Sequence, residues 1–263
     1  MSTPSHALAD SATMVRRQLR HLLRYPTLVL TAAGVPVVFL LLFVYVLGGI
    51  LGAGLGGASG GRDAYVDYVV PGVILMTAAT AAQGTAISVA IDMTEGVVAR
   101  FRTMAIARVS VLTGHVVGSL VQTLLSIAAV VGVALLVGFE PTAGPGGWLG
   151  AVGLLVLIVL ALTWLSVALA MVAKTVAGAS TMLTPLMVLP MVGSGFAPTD
   201  SMPAGLRWFA EYQPFTPFIE TLRGLLSGTP IGHSAILAVG WCALITVGGY
   251  LWARRLYNRE PAG

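Results

Sequence analysis

The stretch "IDMTEGVVARFRTMAIARVS" (91–110) gathers two acids and three arginines in a chain that is only 9% charged. Asp92 and Glu95 have the spacing of a capping box, with Asp in place of Ser or Thr. In that motif the two side chains satisfy the free N–H groups at the start of a helix. The next turns place Met93, Val97, Phe101 and Met104 in one sector and Glu95, Ala99 and Arg102 on the other. The pattern predicts a short amphipathic helix over 92–105, with Gly96 in its first turns. Phe101 and Met104 would be its apolar anchors, and Glu95, Arg100 and Arg102 its polar rim. Two readings fit: a rigid knob that plugs into a protein partner, and an ordinary loop helix.

Other chemistry is excluded by spacing. Gly52, Gly54 and Gly57 satisfy G-x-G-x-x-G, but that fingerprint needs a strand before it and a helix after it. Here a long apolar stretch precedes it, so the match carries no nucleotide site. A P-loop needs glycines ahead of Lys and Ser/Thr, and Lys174, in "ALAMVAKTV", has no glycine upstream. No zinc motif and no paired intramembrane acids are found, which argues against a membrane enzyme. Cys242 is the only cysteine, so no intramolecular disulfide can form. The chain is read as not catalytic by itself, with no metal or cofactor of its own.

The elements that position the charged stretch come from composition. Hydrophobic residues make up 57% of the chain, far from the balance of a soluble domain. Charge-free windows fall at 25–61, 68–91, 109–139, 141–173, 175–199 and 224–253, each longer than the roughly 20 residues that cross a bilayer. They predict six transmembrane helices, near 28–50, 66–90, 112–138, 148–172, 177–196 and 233–253. The glycine-rich "GGILGAGLGGASGG" after the first is expected to be a flexible outer loop. With both termini on one side, that side carries every lysine and arginine except Arg62, Arg207 and Arg223. The positive-inside rule makes it cytoplasmic. The net charge of +4 thus reports membrane orientation, not nucleic-acid binding. None of the six span cores holds an Asp, Glu, Lys or Arg, which argues against an ion-gradient-driven secondary transporter.

Three further features stand out. In "VRRQLRHLLRYP", Arg16, Arg17, Arg20 and Arg24 lie mostly opposite Val15, Leu19, Leu22 and Leu23, as in a helix resting in the cytoplasmic interface. A basic anchor and a gating element fit that helix equally. Before the last span, Pro198, Pro203, Pro214 and Pro217 interrupt helices, and Leu206, Trp208, Phe209, Tyr212, Phe215 and Phe218 supply an interfacial belt. Arg207, Glu211, Glu220 and Arg223 are expected to pair there, in a partly re-entrant outer hairpin that is either an anchor or a gate. Within the spans, Thr77, Thr80, Gly84 and Ser88 share a face. With Gln83, and with Gly178, Thr181 and Thr184 of the fifth span, that face is either a packing seam or a substrate path at a subunit interface.

The stretch "TEGVVARFRTMAIARVSVLTG" resembles the loop after the second span in type-2 ABC exporter permeases, especially the daunorubicin/doxorubicin-type drug-efflux subunits. The likeness runs through Glu95, Gly96, Phe101, Arg102, Met104, Ile106, Ala107 and Arg108, with Ala105 where many relatives have Pro. "GFAPTDSMPAGLRWFAEYQPFTPFIETLRGLLSG" is similar to the family's stretch between spans 5 and 6, through Phe196, Pro198, Met202, Pro203, Leu206, Phe209, Pro214, Arg223 and Gly228. Gln213-Pro214 stands where relatives often have Asn-Pro. The resemblance implies an all-α polytopic membrane protein, a single transmembrane domain over 1–263. It comprises the cytoplasmic N-terminal helix (1–27), six spans (28–253) and a cytoplasmic tail (254–263). It further implies that 92–105 is the coupling helix, docked on a separate ABC ATP-binding subunit present in two copies, which would bind the ATP and magnesium. A second permease copy or a paralogue would complete a dimer in the cell membrane, exporting lipophilic drugs, antibiotics or lipids.

Overall fold

The computed structural model describes residues 27–56, 61–94, 108–173 and 175–259. These residues are helical with short connections, and there is no strand among them. The elements are α1 (Thr27–Leu42), α2 (Gly48–Gly56), α3 (Arg62–Thr94), α4 (Arg108–Val137), α5 (Pro145–Val172), α6 (Val176–Val192), α7 (Ala204–Tyr212), α8 (Phe215–Ser227) and α9 (Ser234–Arg259). A π-helical turn, Phe43–Leu47, joins α1 to α2, so Ala32–Gly52 forms one continuous apolar rod. Where a flexible loop is expected from the glycines, the helix continues to Gly56. Without water to bind the backbone, each N–H and C=O must be satisfied within the segment, and this overrides glycine's low helix propensity.

Among the described residues, five helices are long and apolar enough to cross a membrane: Ala32–Gly52, Arg62–Thr94, Val116–Val137, Pro145–Val172 and Ser234–Leu256. The fifth predicted span, 177–196, is the exception. Its helix α6 has 17 residues, about 25 Å at 1.5 Å per residue, short of about 30 Å of hydrocarbon. Pro185 and Pro190 lie inside it, and it stops at Gly193, where the chain enters a turn.

The centre of the bundle is α3, 33 residues long and so about 50 Å. It packs against α1, α2, α4, α5, α6 and α8. Of its most apolar stretch 67% is buried, against 17% for α9, which rests mainly on α5 and α8. The α5–α9 contact is close because Gly249 presses on backbone. A side-chain carbon there would meet the Trp164 carbonyl carbon at 2.9 Å. Small residues permit such approach where no hydrophobic effect drives helices together.

One sequence expectation fails at the far end of α3. Asp92 does not open a new helix, because α3 continues through it to Thr94 and an N-cap requires non-helical backbone. Glu95, Gly96, Arg100, Phe101, Arg102 and Met104 lie outside the described residues, as do Arg16, Arg17, Arg20 and Arg24.

Candidate functional site

Two polar features interrupt the apolar bundle. The first is a seam between α3 and α6. Gln83 of α3 reaches across it, donating from Nε2 to the Ser180 carbonyl at 3.0 Å and to Ser180 Oγ at 3.1 Å. On either side of this tie the two helices turn small and hydroxylated residues outward. Gly84, Ser88 and Ile91 form the exposed strip of α3, and Ala177, Thr181, Met182, Thr184, Pro185 and Val188 that of α6. Both strips keep the three-and-four spacing of a single helix face. Thr80, half-buried, donates to the Met76 carbonyl at 2.9 Å. Thr181 and Thr184 donate to the Ala177 and Ser180 carbonyls at 3.0 and 3.3 Å.

Each of these threonine hydroxyls is therefore satisfied by its own helix, which lets it face an apolar neighbour at little cost. The uncovered strip is notable because every other residue of α3 from Tyr65 to Ala90 is buried or half-buried. Thr77 does not belong to it. It is fully buried and donates to the Val73 carbonyl at 2.8 Å, on the packed side of the helix. Helical spacing groups Thr77 with Thr80, Gly84 and Ser88, but the α3 surface that stays uncovered begins lower down. Thr85, which no spacing pattern marks in the sequence, ties α3 to α4 through Ser119 Oγ at 2.9 Å.

The second feature lies at the Arg62 end, where α6 stops. The turn Gly193–Phe196 inserts against α3. A side-chain carbon at Gly72 would meet the Gly195 carbonyl oxygen at 2.7 Å, and one at Gly195 would meet the Pro190 carbonyl oxygen at 2.6 Å. Backbone lies on backbone. Gly72 is about 15 Å along α3 from its start, so the turn sits well inside the bundle. Around it, Tyr65 Oη donates to the Phe196 carbonyl at 3.3 Å, and the Phe43 ring, carried on the π turn, packs on Phe196 with centroids 4.7 Å apart. A π turn inserts an extra residue and so re-aims the side chains of that stretch.

Two short helices complete the hairpin. The proline positions explain their ends: Pro198 precedes the short turn Thr199–Ser201, and Pro203 and Pro214 stand immediately before α7 and α8. In α7 the large residues Leu206, Trp208, Phe209 and Tyr212 are exposed and only Ala210 is buried. Helix α8 is the reverse. Phe215 and Phe218, expected in the exposed belt, are fully buried with Ile219 and Leu222. Gly228, at φ 64°, closes α8 in the left-handed conformation that glycine adopts freely.

The expected charge pairing is half realised. Arg207 bonds Glu211 and Asp200, each at 2.7 Å, on the exposed face. Glu211, and then Asp200, hold the guanidinium above its ordinary range. Arg223 has neither of these partners. Its Nη2 donates to the Tyr68 carbonyl at 3.0 Å and the Ser194 carbonyl at 2.7 Å, and its guanidinium, which stays charged even in a buried setting, lies 3.9 Å over the Tyr68 ring. Glu220 accepts from Ser234 Oγ at 2.8 Å. Arg223 thus pins three segments, α3, the end of α6 and α8, through carbonyls that no charge pattern in a sequence reveals.

A model of the ABC-2 type transporter family matches residues 11–226. The chain is 29% identical over 235 residues to the daunorubicin resistance ABC transporter permease protein DrrB1 of Streptomyces coeruleorubidus, covering 86% of this chain and 78% of that one. It is 23% identical over 241 residues to the probable doxorubicin resistance ABC transporter permease protein DrrC of Mycobacterium tuberculosis, covering 91% and 85%.

Proposed function

Because the chain belongs to the ABC-2 type transporter family, we propose that it is the membrane-spanning permease subunit of an ATP-driven exporter. The cargo would be lipophilic drugs, antibiotics or lipids. The observation that carries this is the family match over most of the chain, joined to the absence of any P-loop in the sequence. A permease without a nucleotide site draws its energy from a separate ATP-binding subunit, which holds the ATP and magnesium, in two copies beside a permease dimer. The second permease is another copy of this chain or a paralogue.

The form of α3 supports a mechanical route. It is one rod from Arg62 to Thr94, and the segment that docks on the ATPase begins at the next residue, Glu95. A push on 95–105 travels along α3 to Gly72 and Tyr68, where the hairpin is seated. Rigid helices shifting as bodies, and not deforming, are the usual carriers of such motion. The α3–α6 seam is where the two permeases face each other. Thr80, Gln83, Ser88, Thr181 and Thr184 flank the cargo route, and the hairpin with Pro198, Pro203, Phe209, Pro214 and Arg223 closes its outer end. Helix α6 and the hairpin together make the sixth crossing. Both termini are cytoplasmic in a multi-pass plasma-membrane protein, a reading that rests on the arginine distribution.

One labelling experiment tests topology and docking together. On a Cys242→Ala background, a cysteine at Gly61 reacts with a membrane-impermeant thiol reagent added outside cells. A cysteine at Ala99 reacts only from the cytoplasmic face of inverted vesicles and is protected when the ATPase subunit is co-expressed. Labelling of Ala99→Cys from outside, or indifference to the ATPase, refutes the assignment.

A further inference from the structure

The first span is buried at every fourth residue. Pro36, Leu40, Val44, Gly48 and Gly52 are buried, while Leu41 and Leu42, Tyr45 and Val46, and Gly49 and Ile50 between them are exposed. An α-helix does not keep that period. Four residues turn it by about 400°, so the three steps from Leu40 to Gly52 would drift by about 120° off the packed face. The π turn Phe43–Leu47 takes up the drift, because one extra residue removes about 100° of rotation. Gly48 and Gly52 thereby fall into line with Leu40. A side-chain carbon at Gly48 would already touch Arg62 Cγ at 3.4 Å and Tyr65 Cδ1 at 3.7 Å, and one at Gly52 would run into the Gly61 carbonyl. Helix α2 lies this close to α3 because glycines face the contact.

The same sequence supports a second register. In "LGGILGAGLG" (47–56) a leucine precedes each of Gly48, Gly52 and Gly56. Were the turn α-helical, about 100° per residue would carry Leu47 and Leu51 to within about 20° of Leu40 and swing Gly48 and Gly52 away. Both leucines are half-buried already, one residue's rotation from that face. The two registers each present an apolar line to α3, the condition for two discrete packings separated by a small shift. The glycine register keeps the close contact but requires a π turn, a rare form that recurs at functional sites. The leucine register restores regular α geometry but holds α2 farther from α3.

Tyr65 is the residue that feels the exchange. Its ring lies beside Gly48 and its Oη donates to the Phe196 carbonyl at 3.3 Å. Phe43, the first residue of the π turn, packs its ring on Phe196, and Tyr45, in the middle of the turn, lies under the Arg62 guanidinium at 4.2 Å. Helix α2 is the half free to rotate, since it packs on α3, whereas α1 packs on both α3 and α4. We propose that Phe43–Leu47 is a one-residue register switch: straightening it turns α2 about its axis, sets Leu47 where Gly48 was, pushes Tyr65 off Phe196 and unseats the hairpin turn. The role rests on the reading of that hairpin as the closure of the cargo route.

Cysteine pairs on a Cys242→Ala background read the register in the complex with the ATPase subunit, held in lipid nanodiscs. Gly48→Cys with Arg62→Cys is expected to cross-link at rest and to lose that cross-link under ATP turnover; Leu47→Cys with Arg62→Cys is expected to do the reverse. Deleting Val46 removes the extra residue, leaves Leu40, Val44, Gly48 and Gly52 aligned in a plain α-helix and abolishes the switch. That variant is expected to keep the melting temperature and the first cross-link, and to lose the second together with drug export while ATP hydrolysis continues. Deleting Val38, exposed like Val46 but with no π turn to absorb the change, is expected to lower the melting temperature by turning Ala33 and Pro36 off their contacts. Unfolding on deletion of Val46 overturns the alignment. Absence of the second cross-link in a complex that hydrolyses ATP, or export by the Val46 deletion at the unaltered rate, overturns the switch. A complex that hydrolyses no ATP would instead count against the permease reading, and the melting temperatures of the two deletions then decide the register alone.

Discussion

Replacing Gly195 or Gly72 with valine is expected to abolish the folded permease while leaving its synthesis intact. At Gly195 the first side-chain carbon alone would lie 2.6 Å from the Pro190 carbonyl oxygen and 3.3 Å from Gly72 Cα; at Gly72 it would lie 2.7 to 3.0 Å from three backbone atoms of Gly195. Neither clash can be relieved by rotating a side chain. The turn must leave α3, which breaks the Tyr65–Phe196 and Arg223–Ser194 bonds and the Phe43–Phe196 packing together. Overpacking commonly costs about 1–3 kcal/mol, and loss of the attached contacts places these variants at or above the upper end. Gly153→Ala is the control. Nothing lies within 4 Å of its added carbon, and an alanine inside helix α5 gains up to about 1 kcal/mol in propensity. Thermal unfolding of the purified complex separates the cases: a melting temperature for Gly195→Val equal to the unaltered protein's would show that the turn is not seated as described.

The second large effect concerns coupling. Phe101→Ala and Glu95→Lys are expected to lower substrate-stimulated ATP hydrolysis by about tenfold or more, the consequence of losing about 1.4 kcal/mol at an apolar anchor or charged rim of a docking surface. Membrane insertion and melting temperature stay unchanged, because Glu95 and Phe101 lie between the charge-free windows 68–91 and 109–139 and so outside the membrane spans. Normal coupling in both variants would remove the lever from the account.

Charge and hydropathy carry much of the architecture. The charge-free windows match the five long helices to within several residues at most ends, because burial in hydrocarbon demands long runs without ions. They fail at α6. A window measures mean polarity and does not register that the chain leaves the helix at Gly193 and lays Gly195 against Gly72. Glycine content misleads in the opposite sense at Gly48–Gly56, where surroundings and not propensity set the backbone. At the hairpin, proline positions mark where α7 and α8 begin. The partners of Arg223 are carbonyls and a ring, contributed by residues 155 and 29 positions away, and main-chain acceptors have no signature in a sequence. Gln83 is legible as a polar residue near an uncovered face, but its tie to Ser180 requires the register between two helices.

A direct measurement addresses the claim that this chain is moved by a companion ATPase. The purified permease is reconstituted into liposomes with and without the ATP-binding subunit, and accumulation of a fluorescent lipophilic drug against its gradient is monitored on adding ATP. Accumulation is expected only with both proteins and ATP present, and its loss when the ATPase is omitted. Uphill movement of the drug by the permease alone, driven by an ion gradient or by nothing added, would contradict the account.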